Sequence, residues 1–178
     1  MNTVIKDQDI FIEEVRKLIS EGHSVSITAK GYSMNPFITH MRDQITIGPY
    51  KDDDIKPGAV VLAKDNRGNY LIHRIIEREE NNIRLMGDGN IGIMEEASVE
   101  NVIGIMTAVI KKGRTFPVSS LRWRLYSWSW KILTPLRRYP LALWRRLHPQ
   151  QPPLSIKYLP RHGRFFNLRH CRLDRQSP

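Results

Sequence analysis

Two short segments of this 178-residue chain hold the residues best suited to chemistry. The first is GYSMNP at residues 31–36, which carries Ser33, and the second is YLIHRII at residues 70–76, which carries His73. A serine hydroxyl is a poor nucleophile at neutral pH unless a neighbouring group takes its proton, and a neutral imidazole is well matched to that task. Ser33 and His73 therefore predict a nucleophile and its general base.

The elements that must position these two residues are mostly short strands. Apolar or alternating runs predict strands at residues 25–28, 44–47, 59–63, 69–77, 83–86 and 102–110, and helical spacing predicts one helix at residues 9–21. Turn residues at 65–69 and 80–82 make the three central strands a meander. We therefore expect a mainly β domain with a short N-terminal helix, in which His73 lies on a strand and Ser33 heads a loop beside it.

Five motifs in a fixed order give the chain a family resemblance. They are GYSMNP at 31–36, DQITI at 43–47, Pro57-Gly58, His73-Arg74 and GDGN at 87–90. This series, over roughly residues 24–112, resembles the superfamily of signal peptidases and LexA-type self-cleaving repressors. The resemblance implies a serine endopeptidase with that superfamily's β-fold. It is closest to the Ser-His signal peptidases of archaeal and endoplasmic-reticulum type, because bacterial members carry a lysine in the strand where this chain has His73.

The resemblance also implies roles for residues around the dyad. Asp88, in the GDGN turn, would orient His73 and stabilise its imidazolium form, as the third member of a triad does. The oxyanion hole would be formed mainly by backbone amides, including that of Ser33, because Gly31 stands where many signal peptidases have a second serine. Gly31, Met34 and Pro36 are the candidate oxyanion and substrate-binding residues.

Other polar residues are candidates for the same chemistry. Glu95 and Glu96 fall near the place of a second acidic residue in the endoplasmic-reticulum enzymes. Lys30 and Lys64 are alternative bases, although neither holds the family position. The acidic run at residues 52–54 fits a solvated loop better than a metal site, and His23 and His40 lack ligand spacing, so the sequence predicts no metal and no cofactor.

Charge divides the chain into two unlike parts. Residues 1–116 hold 15 Lys and Arg against 17 Asp and Glu, whereas residues 117–178 hold 13 against one. We accordingly expect an N-terminal helix at 1–23, a catalytic domain at 24–116, a basic amphipathic segment at 117–148 and a disordered tail at 149–178. Because arginines interrupt its apolar residues, the basic segment is expected to lie outside the core.

All four tryptophans lie in this basic segment, within residues 121–147. Tryptophan among arginines is typical of a helix lying at an anionic membrane surface, and nucleic-acid binding or packing of a helical pair on the domain edge are the alternatives. The start of the chain lacks the apolar run of a secretory signal, and no apolar run reaches the length of a membrane span. The one cysteine, Cys171, excludes an intramolecular disulfide. We therefore expect a cytoplasmic, peripherally membrane-associated protein, with the extracytoplasmic face of the membrane as the alternative.

The sequence thus predicts a signal-peptidase-like serine endopeptidase that cleaves an extended peptide or leader with a Ser33–His73 dyad. A self-cleaving or peptide-maturing protease of the LexA type is one alternative. A non-enzymatic protein that binds a membrane or nucleic acid on the same fold is the other.

Overall fold

The computed structural model describes residues 3–148, with side chains from residue 8 onward. The expected disorder of residues 149–178, together with Cys171, lies outside the described residues. In chain order the elements are α1 (Thr3–Ser20), β1 (Val25–Thr28), β2 (Gln44–Gly48), β3 (Val60–Lys64), β4 (Tyr70–Glu79), β5 (Asn82–Met86), β6 (Glu95–Ser98), β7 (Val102–Lys111), β8 (Arg114–Pro117), α2 (Leu121–Ile132) and α3 (Arg138–Leu147).

The eight strands form one curled antiparallel sheet. Its strand order is β1-β2-β7-β3-β4-β5-β6, and β8 pairs with the end of β7. Register shifts between Thr46 and Ile47, and between Ile75 and Glu77, bend the strands and let the sheet curl. The predicted mainly β domain with an N-terminal helix is confirmed, as is the meander of β3, β4 and β5.

The core has two parts, one on each face of the sheet, because side chains alternate along the central strands. On one face, Ile12, Val15 and Ile19 of α1 pack against residues of β1, β2, β3 and β7. On the other face, a smaller cluster collects Val61 of β3, Ile75 of β4, and residues of β5 and β6. His73 and Arg74 are neighbours on β4, so their side chains point to opposite faces.

The basic segment differs from the expectation that it lies outside the core. Trp123 and Trp130 of α2 are only 6% and 5% exposed, and Trp123 belongs to the larger core cluster with Tyr126 packed against it. These three aromatic residues are spaced three and four positions apart, so they share one face of α2. The expectation was wrong because Arg122 and Arg124 lie exposed on the other sides of the helix. For α2, the alternative of helix packing on the domain edge is the one observed.

Candidate active site

The loop that carries Ser33 connects β1 to β2 and is anchored by its own apolar residues. The side chains of Met34 and Ile38 are buried in the larger core cluster, and the Ile38 amide donates to the Met34 carbonyl at 3.1 Å. Ser33 itself is half-buried, as is Pro36. Of the predicted substrate-binding residues, Met34 is therefore a core anchor through its side chain.

The GDGN turn packs directly on this loop. The Gly89 amide donates to the Ser33 carbonyl at 2.6 Å. A Cβ on Gly87 would lie 2.5 Å from the Ser33 carbonyl oxygen and 2.9 Å from Ser33 Cβ, and a Cβ on Gly89 would collide with the Tyr32 carbonyl. Both glycines are therefore required by close backbone approach, and the first and last of the motifs seen in the sequence meet in space.

His73 lies on the strand next to this contact. Arg74 pairs with Met86, and continuing that antiparallel register by one residue places Gly87 opposite His73. Opposite residues in such a pair have Cβ positions about 4.5–5.5 Å apart. Because Ser33 Cβ lies against the position that a Gly87 side chain would occupy, this register puts Ser33 on the same side of the sheet as His73.

The described residues show no hydrogen bond between the Ser33 hydroxyl and the His73 ring. Such contacts are often long before substrate binds and tighten in the substrate complex. Ser33 and His73 thus both lie next to Gly87, with no hydrogen bond between them among the described residues.

The other side of the His73 ring is held by a carboxylate. Nδ1 of His73 lies 3.0 Å from Oε2 of Glu95, at the start of β6, and the two side chains are only 7% and 18% exposed. If Nδ1 carries its proton and donates to Glu95, Nε2 keeps the lone pair that a general base needs. Glu95 is therefore positioned to fix the ring and to stabilise an imidazolium.

Asp88 does not take the role that the resemblance implied. Its carboxylate is 1% exposed and accepts two hydrogen bonds from Arg74, at 2.8 and 2.7 Å, and a third from the Tyr126 hydroxyl at 2.8 Å. The Asp88 carbonyl accepts from the Trp130 indole at 2.9 Å. The physical reason is the conformation of the turn: Asp88 lies beyond the end of β5, and the turn directs its side chain to the face of Arg74, opposite to that of His73.

This buried cluster fastens α2 to the sheet. Arg74 also donates to the Gly58 carbonyl and to the Ser127 hydroxyl, at 2.8 and 2.6 Å. Burial, and then the charge of Asp88, raise the pKa of Tyr126 well above its ordinary value, so its hydroxyl stays a donor. Asp88 is therefore a structural centre for the turn that supports Ser33.

The amide groups of the serine loop are unequal candidates for an oxyanion hole. The Gly31 amide donates to Nδ1 of His40 at 2.8 Å, so it is already engaged. Pro36 has no amide hydrogen. The Ser33 amide has no acceptor among the described residues, which leaves it free to meet a developing negative charge.

His40 and Asp43 close the base of the loop. Burial, and then the charge of Lys30, lower the pKa of His40, which favours the neutral ring that accepts from Gly31. Asp43 is fully buried and accepts from the Thr39 amide and the Arg42 guanidinium, both at about 2.9 Å. Neither was predicted as a site residue, although Asp43 opens the DQITI motif.

The outer faces of α2 and α3 carry exposed apolar side chains. On α2 these are Leu121, Leu125, Trp128 and Ile132, and beyond it Leu136, Tyr139, Leu143 and Leu147. Residues 118–148 also hold seven Lys and Arg and no acidic residue. Across residues 3–148, no helix combines the length and apolar character needed to cross a bilayer.

Comparison of the chain with models of protein families, with curated proteins and with solved structures finds no match.

Proposed function

We propose that this protein is a serine endopeptidase of the signal-peptidase-like kind, with Ser33 as nucleophile and His73 as general base. The observation that carries the proposal is the packing of Ser33 into the space left by Gly87, opposite His73, whose Nδ1 is held by Glu95. In this proposal Ser33 is the nucleophile, His73 the base and Glu95 the orienting carboxylate that acyl transfer needs.

The proposed reaction follows from this arrangement. Ser33 Oγ attacks the peptide carbonyl while Nε2 of His73 takes its proton, and Glu95 stabilises the imidazolium that forms. The Ser33 amide donates to the oxyanion of the tetrahedral intermediate. His73 then gives the proton to the leaving amine, and water hydrolyses the acyl-enzyme with His73 again acting as base.

The substrate is proposed to be an extended peptide. β1 is the terminal strand of the sheet order and leads directly into the Ser33 loop. A peptide that pairs with the free edge of β1 would be guided toward Ser33, and main-chain hydrogen bonds would supply affinity with little demand on side chains.

The test is digestion of a peptide library and mass-spectrometric detection of products at high enzyme concentration. Wild type should cleave, whereas Ser33→Ala and His73→Ala should not, and Ser119→Ala, which alters an exposed serine, should cleave normally. Fragments of the protein itself would indicate self-cleavage. Equal cleavage by wild type and Ser33→Ala, or no cleavage by wild type, would refute the assignment.

We further propose that α2 and α3 hold the protein at an anionic, cytoplasm-facing membrane surface. The support is the exposed apolar stripe flanked by basic residues and by no acidic ones. Each basic residue near such a surface contributes on the order of 1 kcal/mol. Salt-sensitive sedimentation with anionic but not neutral vesicles is expected, and stronger retention by nucleic acid would contradict this surface assignment.

A further inference from the structure

A cavity of about 400 Å³ lies between the face of β4 that carries Arg74 and the inner side of α2. This volume falls within the range of small-molecule sites, roughly 300–1,000 Å³. The cavity is on the opposite side of β4 from His73, so it is separate from the proposed active site.

The lining of this cavity is strongly cationic. Arg74, Arg124, Lys131 and Arg137 all line it. Of these, Arg74 is neutralised by Asp88, whereas the other three form no ion pair with a carboxylate among the described residues. Arg124 and Lys131 are exposed, so water screens their mutual repulsion, and the three positive charges together attract an anion to this cavity.

Arg137 is the buried cation among these three. It is only 3% exposed, and its guanidinium contacts Met86 Sδ at 2.9 Å and the Thr134 hydroxyl at 3.1 Å. Its Nε is buried and has no hydrogen-bond partner. The Asp88 carboxylate attracts Arg137 electrostatically but makes its hydrogen bonds to Arg74 and Tyr126, so the buried Arg137 guanidinium is left with a weak sulfur acceptor and an orphaned N–H.

The remaining polar groups suit an oxyanion of several oxygens. The Ser127 hydroxyl accepts from Arg74, which leaves its own proton available to a ligand oxygen. Planar guanidinium groups bind phosphate with two parallel hydrogen bonds, and lysine binds it as a point charge.

We propose that this cavity binds a phosphate group, with Arg124, Lys131 and Arg137 as its cationic ligands and the Ser127 hydroxyl as a neutral donor. The phosphate belongs either to a lipid headgroup or to a soluble phosphate ester. Trp128 both lines the cavity and belongs to the exposed apolar stripe, so the cavity adjoins the surface proposed to meet the membrane.

The test measures binding by the full chain of inorganic phosphate, of glycerol phosphate and of vesicles, followed by tryptophan fluorescence. Arg124→Gln and Lys131→Gln alter exposed cavity residues, and Arg122→Gln and Arg146→Gln are charge-matched controls that do not line the cavity. The cavity variants should weaken phosphate binding roughly tenfold or more, whereas the controls should not. Ser33→Ala should bind phosphate normally, which separates this proposal from the proposed protease function.

The source of the phosphate is identified by the probe whose binding is weakened in the cavity variants and not in the controls. Binding of the soluble phosphates indicates a soluble ester. Preference for phosphatidic acid over equally charged phosphatidylglycerol vesicles, lost only in the cavity variants, indicates a lipid headgroup. The proposal is overturned if soluble phosphates do not bind and all four variants weaken vesicle binding equally, because attraction to a charged surface would then account for it.

Discussion

The substitution Asp88→Asn should destabilise the whole fold. It keeps the shape of the side chain but removes the charge that pairs with Arg74, whose side chain is 4% exposed. Removing one partner of a buried ion pair costs about 3–5 kcal/mol, because the other charge is left uncompensated. Since proteins of this size are stable by only about 5–15 kcal/mol, this is a large fraction of the total.

Thermal and urea denaturation of the full chain measure this effect. For a chain of 150–250 residues, about 2–4 °C of Tm is lost per kcal/mol, so Asp88→Asn should lower Tm by roughly 6–20 °C. Asp53→Asn makes the same chemical change on an exposed side chain and should leave Tm unchanged. Tyr126→Phe, which removes one hydrogen bond to the same carboxylate, should fall between the two.

The opposite result would refute the structural role given to Asp88. If Asp88→Asn unfolded within about 0.5 kcal/mol of wild type, the size expected for a surface substitution, the Arg74 pair would not be a buried structural element. If Asp88→Asn lost peptide cleavage while keeping full stability, Asp88 would instead have the role that the resemblance implied, the orientation of His73.

Three further predictions concern the active site and its loop. Glu95→Gln should lower kcat of peptide cleavage by about 10–100-fold, which corresponds to the loss of one hydrogen bond to a charged group. Glu96→Gln, on the exposed face of β6, should leave kcat unchanged, and equal effects of the two substitutions would contradict orientation of His73 by Glu95. Gly87→Ala should lower kcat/KM by roughly 10²-fold by displacing Ser33, as measured on protein shown by circular dichroism to be folded, and normal activity would contradict the close approach. Because the pKa of His40 is lowered below its ordinary value of 6.5, the neutral ring contributes its full stabilisation of the fold above pH 6.5. That contribution to the free energy of unfolding is lost as the pH falls through the lowered pKa. Urea unfolding at a series of pH values should show this loss of stability in wild type and not in His40→Gln.

The strands could be predicted from sequence because their signals are local. Alternating apolar residues and the turn at residues 65–69 place β3 and β4 within a residue or two of their observed bounds. β6 was missed because its sequence, EEAS, has low β-propensity and is a strand only through pairing with β5. Glu95 therefore remained one of two acidic candidates, since only the pairing of β6 brings its carboxylate to His73.

The partner of Asp88 could not be predicted, because a turn conceals which face of the sheet its residues join. The sequence places Asp88 one residue after Gly87, and a rotation of the turn decides whether its side chain meets His73 or Arg74.

For α2, by contrast, a usable signal was present: Trp123, Tyr126 and Trp130 share one helical face. That spacing predicts a buried stripe as readily as a membrane-facing one.

The burial of that stripe changes where the folded domain ends. A chain stopped at residue 116 would lose Trp123 from the core, and it would leave Asp88 without the Tyr126 and Trp130 hydrogen bonds. Because the Asp88 turn also carries Gly87 and Gly89 against the Ser33 loop, the loss would reach that loop. The basic segment therefore has two roles on two faces of one helix. Its inner aromatic face completes the domain that positions Ser33, and its outer apolar and basic face is free to meet a surface.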